Sequence, residues 1–124
     1  VLVAVPGAFT PTCHRNHLPG YVTRRDEILA RGIDAIAVTS VNDVFVLEAW
    51  SKAAGAEGIE FLADGNGDFA KAIGLDMDGT GFGLGIRSKR YAMLVEDGVV
   101  RVLNVEDAPS KADLSGAETL LKAL

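Results

Sequence analysis

Apolar positions along the chain follow two different rhythms. "VLVAV" at residues 1–5 and "GIDAIAVTSV" at 32–41 are continuous apolar runs, the pattern of strands buried on both faces. "IEFLAD" at 59–64 predicts a third, shorter strand, closed by the turn residues of "DGNGD". Between the first two runs, Leu18, Tyr21, Val22, Ile28 and Leu29 recur at loosely helical spacing, with Arg24, Arg25, Asp26 and Glu27 toward water. A helix is therefore expected from about Cys13 to Arg31, with Pro19 and Gly20 predicting a kink or an irregular first turn. Asn42 and Asp43 offer capping oxygens to a second helix whose apolar face holds Val44, Leu47 and Trp50. "FAKAIGL" at 69–75 predicts a short helix, and the glycine-rich "DGTGFGLG" at 78–85 a flexible loop. "RYAMLVEDGVVRVLNV" at 90–105 reads as two strands turned at Asp97-Gly98. "SGAETLLKAL" predicts a terminal helix capped by Ser115, with Glu118 three residues on.

The order β-α-β-α-β-α-β-β-α predicts an α/β domain with a central mixed β-sheet flanked by helices and ending in a β-hairpin and a helix. The 124 residues suit one domain, and 48% hydrophobic residues supply a core. A net charge of −5 leaves no basic face for phosphates, so nucleic acid is not an expected partner. No apolar run approaches the roughly 20 residues that span a bilayer, so no membrane role is expected. The one cysteine cannot form a disulfide within the chain, which fits a reducing, cytoplasmic setting.

That cysteine, Cys13, lies in "PGAFTPTCHRNHLP", past the carboxyl end of the first strand and at the start of the first helix. Open α/β sheets place their chemistry there. Unpaired N–H groups and the helix dipole favour a thiolate over a thiol at such a position. Thr10, three residues earlier, comes close enough in a tight turn to aim its hydroxyl at the sulfur or at a substrate oxygen, while Pro6 and Pro11 stiffen the loop.

"VPGAFTPTC" followed by "HLPGY" resembles the active-site segment of the atypical (type II) peroxiredoxins, thiol peroxidases of thioredoxin-like fold. "SVNDVFVLEAW", "FLADGNGDFAKAIGL", "SKRYAMLVEDGVV" and "LNVE" resemble the same family in the same order, over essentially the whole chain, and "GFGLGIRSKRYAMLVEDG" looks most like bacterial members. The resemblance makes Cys13 the nucleophile that attacks a peroxide, with Thr10 hydrogen-bonding the peroxide, Pro6 shielding the pocket and Arg90 as the family's arginine. Strand alternation adds that Arg90 faces with Ala92 and Leu94, opposite to Arg87, Lys89 and Tyr91, so it needs an anionic partner there. The implied activity is reduction of hydrogen peroxide and small organic hydroperoxides through a sulfenic acid, with no metal or organic cofactor. Many relatives carry a resolving cysteine, but here the comparable stretches read "AIAVTSV" and "KADLSGA". The implied reductant is thus an external thiol, glutathione with glutaredoxin or thioredoxin, in a 1-Cys mechanism. A homodimer resting on residues such as Phe45 or Phe82 is also implied. Relatives carry an additional strand segment before "VLVAV", which is expected to be lacking here.

The residues alone leave three other readings open. Cys13, His14 and His17 form a possible zinc corner that lacks a fourth ligand at suitable spacing. A Cys–His hydrolase would use His17 or His14 as base. A thioredoxin-like binding module would leave Cys13 inert. His14 and Arg15 either add charge beside the sulfur or face solvent.

Overall fold

A computed structural model describes residues 1–124. Five strands form one mixed sheet in the order β3-β2-β1-β6-β7: β1 (Leu2–Val5), β2 (Ala37–Ser40) and β3 (Glu60–Ala63) run parallel, and β6 (Tyr91–Glu96) pairs antiparallel with both β1 and β7 (Val99–Val105). The apolar run of residues 1–5 takes the centre, where Val3 pairs with Val38 on one side and Ala92 on the other. Period-2 alternation then divides its side chains between two faces. Val3 and Val5 join the large core with Leu18 and Tyr21 of α1 (Leu18–Thr23), Ile28 of α2 (Arg25–Leu29), Leu47 and Trp50 of α3 (Val44–Ala53), and Leu120 of α5 (Ala117–Lys122). Ala4 faces the other way with Tyr91 and Met93, against Leu75, which follows α4 (Asp68–Ala72). The flanking helices are thus unequally shared, four on the Val3 face. No helix is long and apolar enough to cross a membrane.

The first helix departs from the expected single rod. Cys13–His17 form a π-helical turn, with the Leu18 N–H donating to the Cys13 carbonyl five residues back. Pro19, in the first turn of α1, has no N–H to return to Arg15, so the wider turn before it costs one fewer bond than elsewhere. A second break falls at Arg24, where φ is −102° and ψ 13°. Only residues 37–40 of the long second run are strand, and β3 is an edge strand, largely exposed.

Residues 78–85 are not a free loop. They close a second hairpin between β4 (Asp76–Asp78) and β5 (Ile86–Ser88), through a 3-10 turn at Thr80–Phe82. A Cβ at Gly79 would lie 2.9 Å from Leu84 Cβ and 3.0 Å from the Gly85 carbonyl, so glycine is required where the arms meet. The β6–β7 turn matches its sequence signal: Asp97 and Gly98 have φ of 50° and 76°. Asp43 caps α3 by accepting from Val46 N–H. Trp50 and Leu47 are buried as expected, whereas Val44 is exposed. Ser115 does not cap α5. Gly116 holds that position, and the Ser115 hydroxyl is turned to Glu106.

Candidate active site

Pro6 closes β1 and is buried; the chain then turns through Gly7, Ala8 and Phe9 to reach Cys13. Asn42 anchors this loop, its Oδ1 accepting from Ala8 N–H (3.0 Å) and the Ser40 hydroxyl (2.6 Å). Phe9 has a φ of 62°, the left-handed region that side chains avoid. Thr10 lies as near as the sequence suggested, but its hydroxyl donates to the Gly7 carbonyl at 2.7 Å. The hydrogen is therefore committed to the loop, and toward a ligand the Thr10 oxygen is an acceptor. This corrects the expectation of a hydroxyl aimed as a donor at sulfur or substrate.

Cys13 has no exposed surface. Arg90, just ahead of β6 and 2% exposed, directs Nη2 at the Cys13 sulfur at 3.0 Å. The guanidinium lies on the face that strand alternation predicts, with Ala92, and its partner is the sulfur rather than a carboxylate. The guanidinium is held on its remaining sides by neutral acceptors: Nε and Nη2 donate to the Pro109 carbonyl (3.2 and 2.9 Å), and Nη1 donates to His17 Nδ1 at 2.9 Å.

His17 is the member that sequence reasoning missed in this role. Four residues after Cys13, its spacing pointed at the sulfur, yet the ring joins Arg90 to the Ser115 carbonyl, 3.0 Å from Nε2. Arg90 always donates, so Nδ1 carries the lone pair and Nε2 the hydrogen. Burial above all holds the His17 imidazole down at about 4, with the Ser115 bond opposing and the Arg90 charge adding to the effect. The ring is neutral near pH 7 and is turned away from the base role a Cys–His hydrolase needs.

Behind it, the Tyr21 hydroxyl donates to the same Ser115 carbonyl at 2.6 Å. Ser115 N–H and hydroxyl both donate to Glu106 Oε2, at 2.6 and 2.5 Å. Burial pushes the Glu106 carboxyl up, but these bonds outweigh it and hold it below its ordinary value. Burial raises the Tyr21 hydroxyl well above its usual range, and the Glu106 charge adds to that. Of the residues beside the cysteine, Arg15 is exposed, while His14 is half-buried, its Nδ1 accepting from Trp50 Nε1–H at 2.9 Å with the Phe9 ring 5.6 Å away. Both histidines thus have nitrogens engaged away from Cys13, and the three residues do not form a metal corner. Arg87 stays outside the Cys13 contacts: its guanidinium donates to the Val41 and Leu84 carbonyls beside Gly7.

The Redoxin family profile matches residues 1–121. Peroxiredoxin-2E, chloroplastic, of Arabidopsis thaliana is 50% identical over 127 residues, covering 100% of this chain and 54% of that protein. Peroxiredoxin-2C of Oryza sativa subsp. japonica is 47% identical over 125 residues, covering 100% of this chain and 76% of that protein. The chain thus spans about half the length of the chloroplastic relative. Among solved structures, reduced Prx3 in complex with h2o2 from Vibrio vulnificus superposes with a TM-score of 0.94 at 57% identity, over 99% of this chain and 79% of that one. A mixed thioredoxin-like sheet, a buried cysteine in the helical turn that follows its first strand and these likenesses along the whole sequence agree: the chain belongs to the redoxin family and, within it, to the atypical type II peroxiredoxins.

Proposed function

We propose that this domain reduces hydrogen peroxide and small organic hydroperoxides with Cys13 as nucleophile. The observation that carries the reading is the 3.0 Å contact between Arg90 Nη2 and the sulfur, made by a guanidinium with no carboxylate partner. Sulfur forms a bond to the hydroxyl oxygen of the peroxide as the O–O bond breaks. The departing oxygen takes the electron pair and a proton and leaves as water or alcohol, and Cys13 is left as the sulfenic acid. A thiol with pKa near 8.5 is about 3% ionised at pH 7, so full ionisation gains only about 30-fold. Further acceleration has to come from donors that meet charge as the O–O bond stretches, and this reading gives that part to Arg90, 3.0 Å from the sulfur, and to the N–H groups of Thr12 and Cys13. Thr10, its hydrogen held by Gly7, acts as acceptor and orients the peroxide O–H. Pro6, buried beside the loop, keeps water from the reacting atoms.

Cys13 is the single cysteine of these 124 residues, which fits a 1-Cys cycle, and the reading assigns the reducing step to an external thiol. Thiol attack on the sulfenic acid releases water and leaves a mixed disulfide, which a second thiol of glutathione, glutaredoxin or thioredoxin reduces. Exposed Phe9, Phe45 and Phe82 support a homodimer, which sedimentation of the unmodified chain beside Phe45→Glu tests.

The deciding experiment is stopped-flow oxidation by hydrogen peroxide, followed by Trp50 fluorescence, with a sulfenic-acid trap on the product. Oxidation orders of magnitude faster than a free thiol, absent in Cys13→Ser, supports the reading. A rate within the roughly 30-fold that ionisation supplies rejects it.

A further inference from the structure

A guanidinium has five N–H bonds on a flexible stem, so its direction depends on what accepts them. The Pro109 carbonyl takes Nε and Nη2 of Arg90 and fixes one edge, and His17 Nδ1 takes Nη1 and fixes the other. A carboxylate would be the usual acceptor for a buried arginine, and one is near: Glu106 donates its backbone N–H to the Arg90 carbonyl. Yet its side chain is turned to the N–H and hydroxyl of Ser115, and no carboxylate oxygen lies within 4.0 Å of the guanidinium.

From this we infer that His17 is a positioning residue, a neutral acceptor that aims Arg90 at the Cys13 sulfur without cancelling its charge. The inference rests on the peroxidase reading for its purpose but not for its geometry. The ring itself is oriented from behind. Its Nε2–H is fixed on the Ser115 carbonyl, which also receives the Tyr21 hydroxyl, and Ser115 is clamped by Glu106. The chain from Glu106 through Ser115 and His17 to Arg90 thus makes the segment before α5 part of the site's alignment. An acid at position 17 would hold Arg90 equally well, but would compete with the thiolate and with the departing oxygen for the same positive charge.

Two isosteres separate aiming from packing. In His17→Asn the amide oxygen occupies the place of Nδ1, so the Arg90 bond is kept and the Ser115 carbonyl retains Tyr21. In His17→Gln the amide occupies the place of Nε2, so the Ser115 bond is kept and Arg90 Nη1 is left buried without an acceptor. Both are compared with the unmodified protein in thermal melting, in the pH profile of iodoacetamide alkylation of Cys13 and in peroxide oxidation. The expected result is His17→Asn within about threefold of the unmodified protein in both rates. His17→Gln is expected to lose about ten- to hundredfold in peroxide oxidation, with an alkylation profile displaced to higher pH. A His17→Gln protein matching the unmodified one, or a folded His17→Asn as impaired as His17→Gln, overturns the proposal. If His17→Gln does not fold, His17→Asn decides alone. Alkylation tests the aim of Arg90 even if the unmodified chain oxidises slowly, so failure of the peroxidase reading shows separately.

Discussion

The indole N–H of Trp50 donates to Nδ1 of His14 at 2.9 Å, tying the middle of α3 to the residue that follows Cys13. Trp50 is fully buried and has Phe61 edge-on against it at 5.8 Å. Its N–H therefore has no solvent alternative if the acceptor is lost. His14→Ala is expected to cost about 1–3 kcal/mol in a denaturant titration and to change Trp50 emission, while His14→Asn, which keeps an acceptor at the same atom, recovers most of both. Equal stability of His14→Ala and the unmodified protein would mean the bond contributes nothing.

Arg90 serves three acceptors at once: sulfur, His17 and the Pro109 carbonyl. A lysine keeps the charge but is a single point of three donors and cannot span them. Arg90→Lys is thus expected to oxidise about 100-fold or more slowly with peroxide, close to Arg90→Ala. Recovery of most of the rate by lysine would show that charge alone is enough.

Acid lability follows from His17. Its folded value of about 4 lies below the ordinary 6.5, so the unfolded chain binds the extra proton first. Stability is full above pH 6.5 and falls as pH drops from 6.5 to about 4, by a total on the order of 3 kcal/mol. Glu106, held below its ordinary value, adds a further loss once the pH falls through its folded value. Urea midpoints at pH 7.5, 5.5 and 4 check the slope, and His17→Asn should flatten its upper part.

Two buried tyrosines should respond oppositely to removal of the hydroxyl. Tyr21 donates to the Ser115 carbonyl, so Tyr21→Phe is expected to destabilise by about 1 kcal/mol. The Tyr91 hydroxyl is buried without a partner, its ionisation pushed up to about 12 by burial and by Asp64. Tyr91→Phe should be neutral or stabilising by up to about 1 kcal/mol. Thermal melts of the two variants side by side decide it.

The elements that carried the sequence reading are those in which one force dominates. Strand alternation from Arg90 through Ala92 needs only the pleat, and it put the arginine on the face of Ala92, which in the structure is also that of Cys13. Asp97-Gly98 and Asp43 are governed by local backbone geometry and were readable for the same reason. What stayed hidden depends on competition between distant groups. The Ser115 hydroxyl had a local use as a cap, but the Glu106 carboxylate, nine residues back, outbids an N-terminal amide for it. The Thr10 hydroxyl was legible as near and illegible in direction, because the Gly7 carbonyl takes its hydrogen. His17 and Arg90 are 73 residues apart, and nothing in either segment marks the other as partner. The strands Asp76–Asp78 and Ile86–Ser88 are too short to show a period.

The closed burial of Cys13 makes contact with its sulfur depend on the size of what approaches it in the proposed cycle. The sulfur has no exposed surface, so a protein thiol needs the π-helical turn to open before it can touch that atom, a demand that a small peroxide makes far less of. Oxidation should then remain first-order in peroxide, while reduction by a protein partner levels off at high partner concentration, at the frequency with which that turn opens. The wide turn before Pro19 would in that case be the clock of the cycle rather than a fault in the helix.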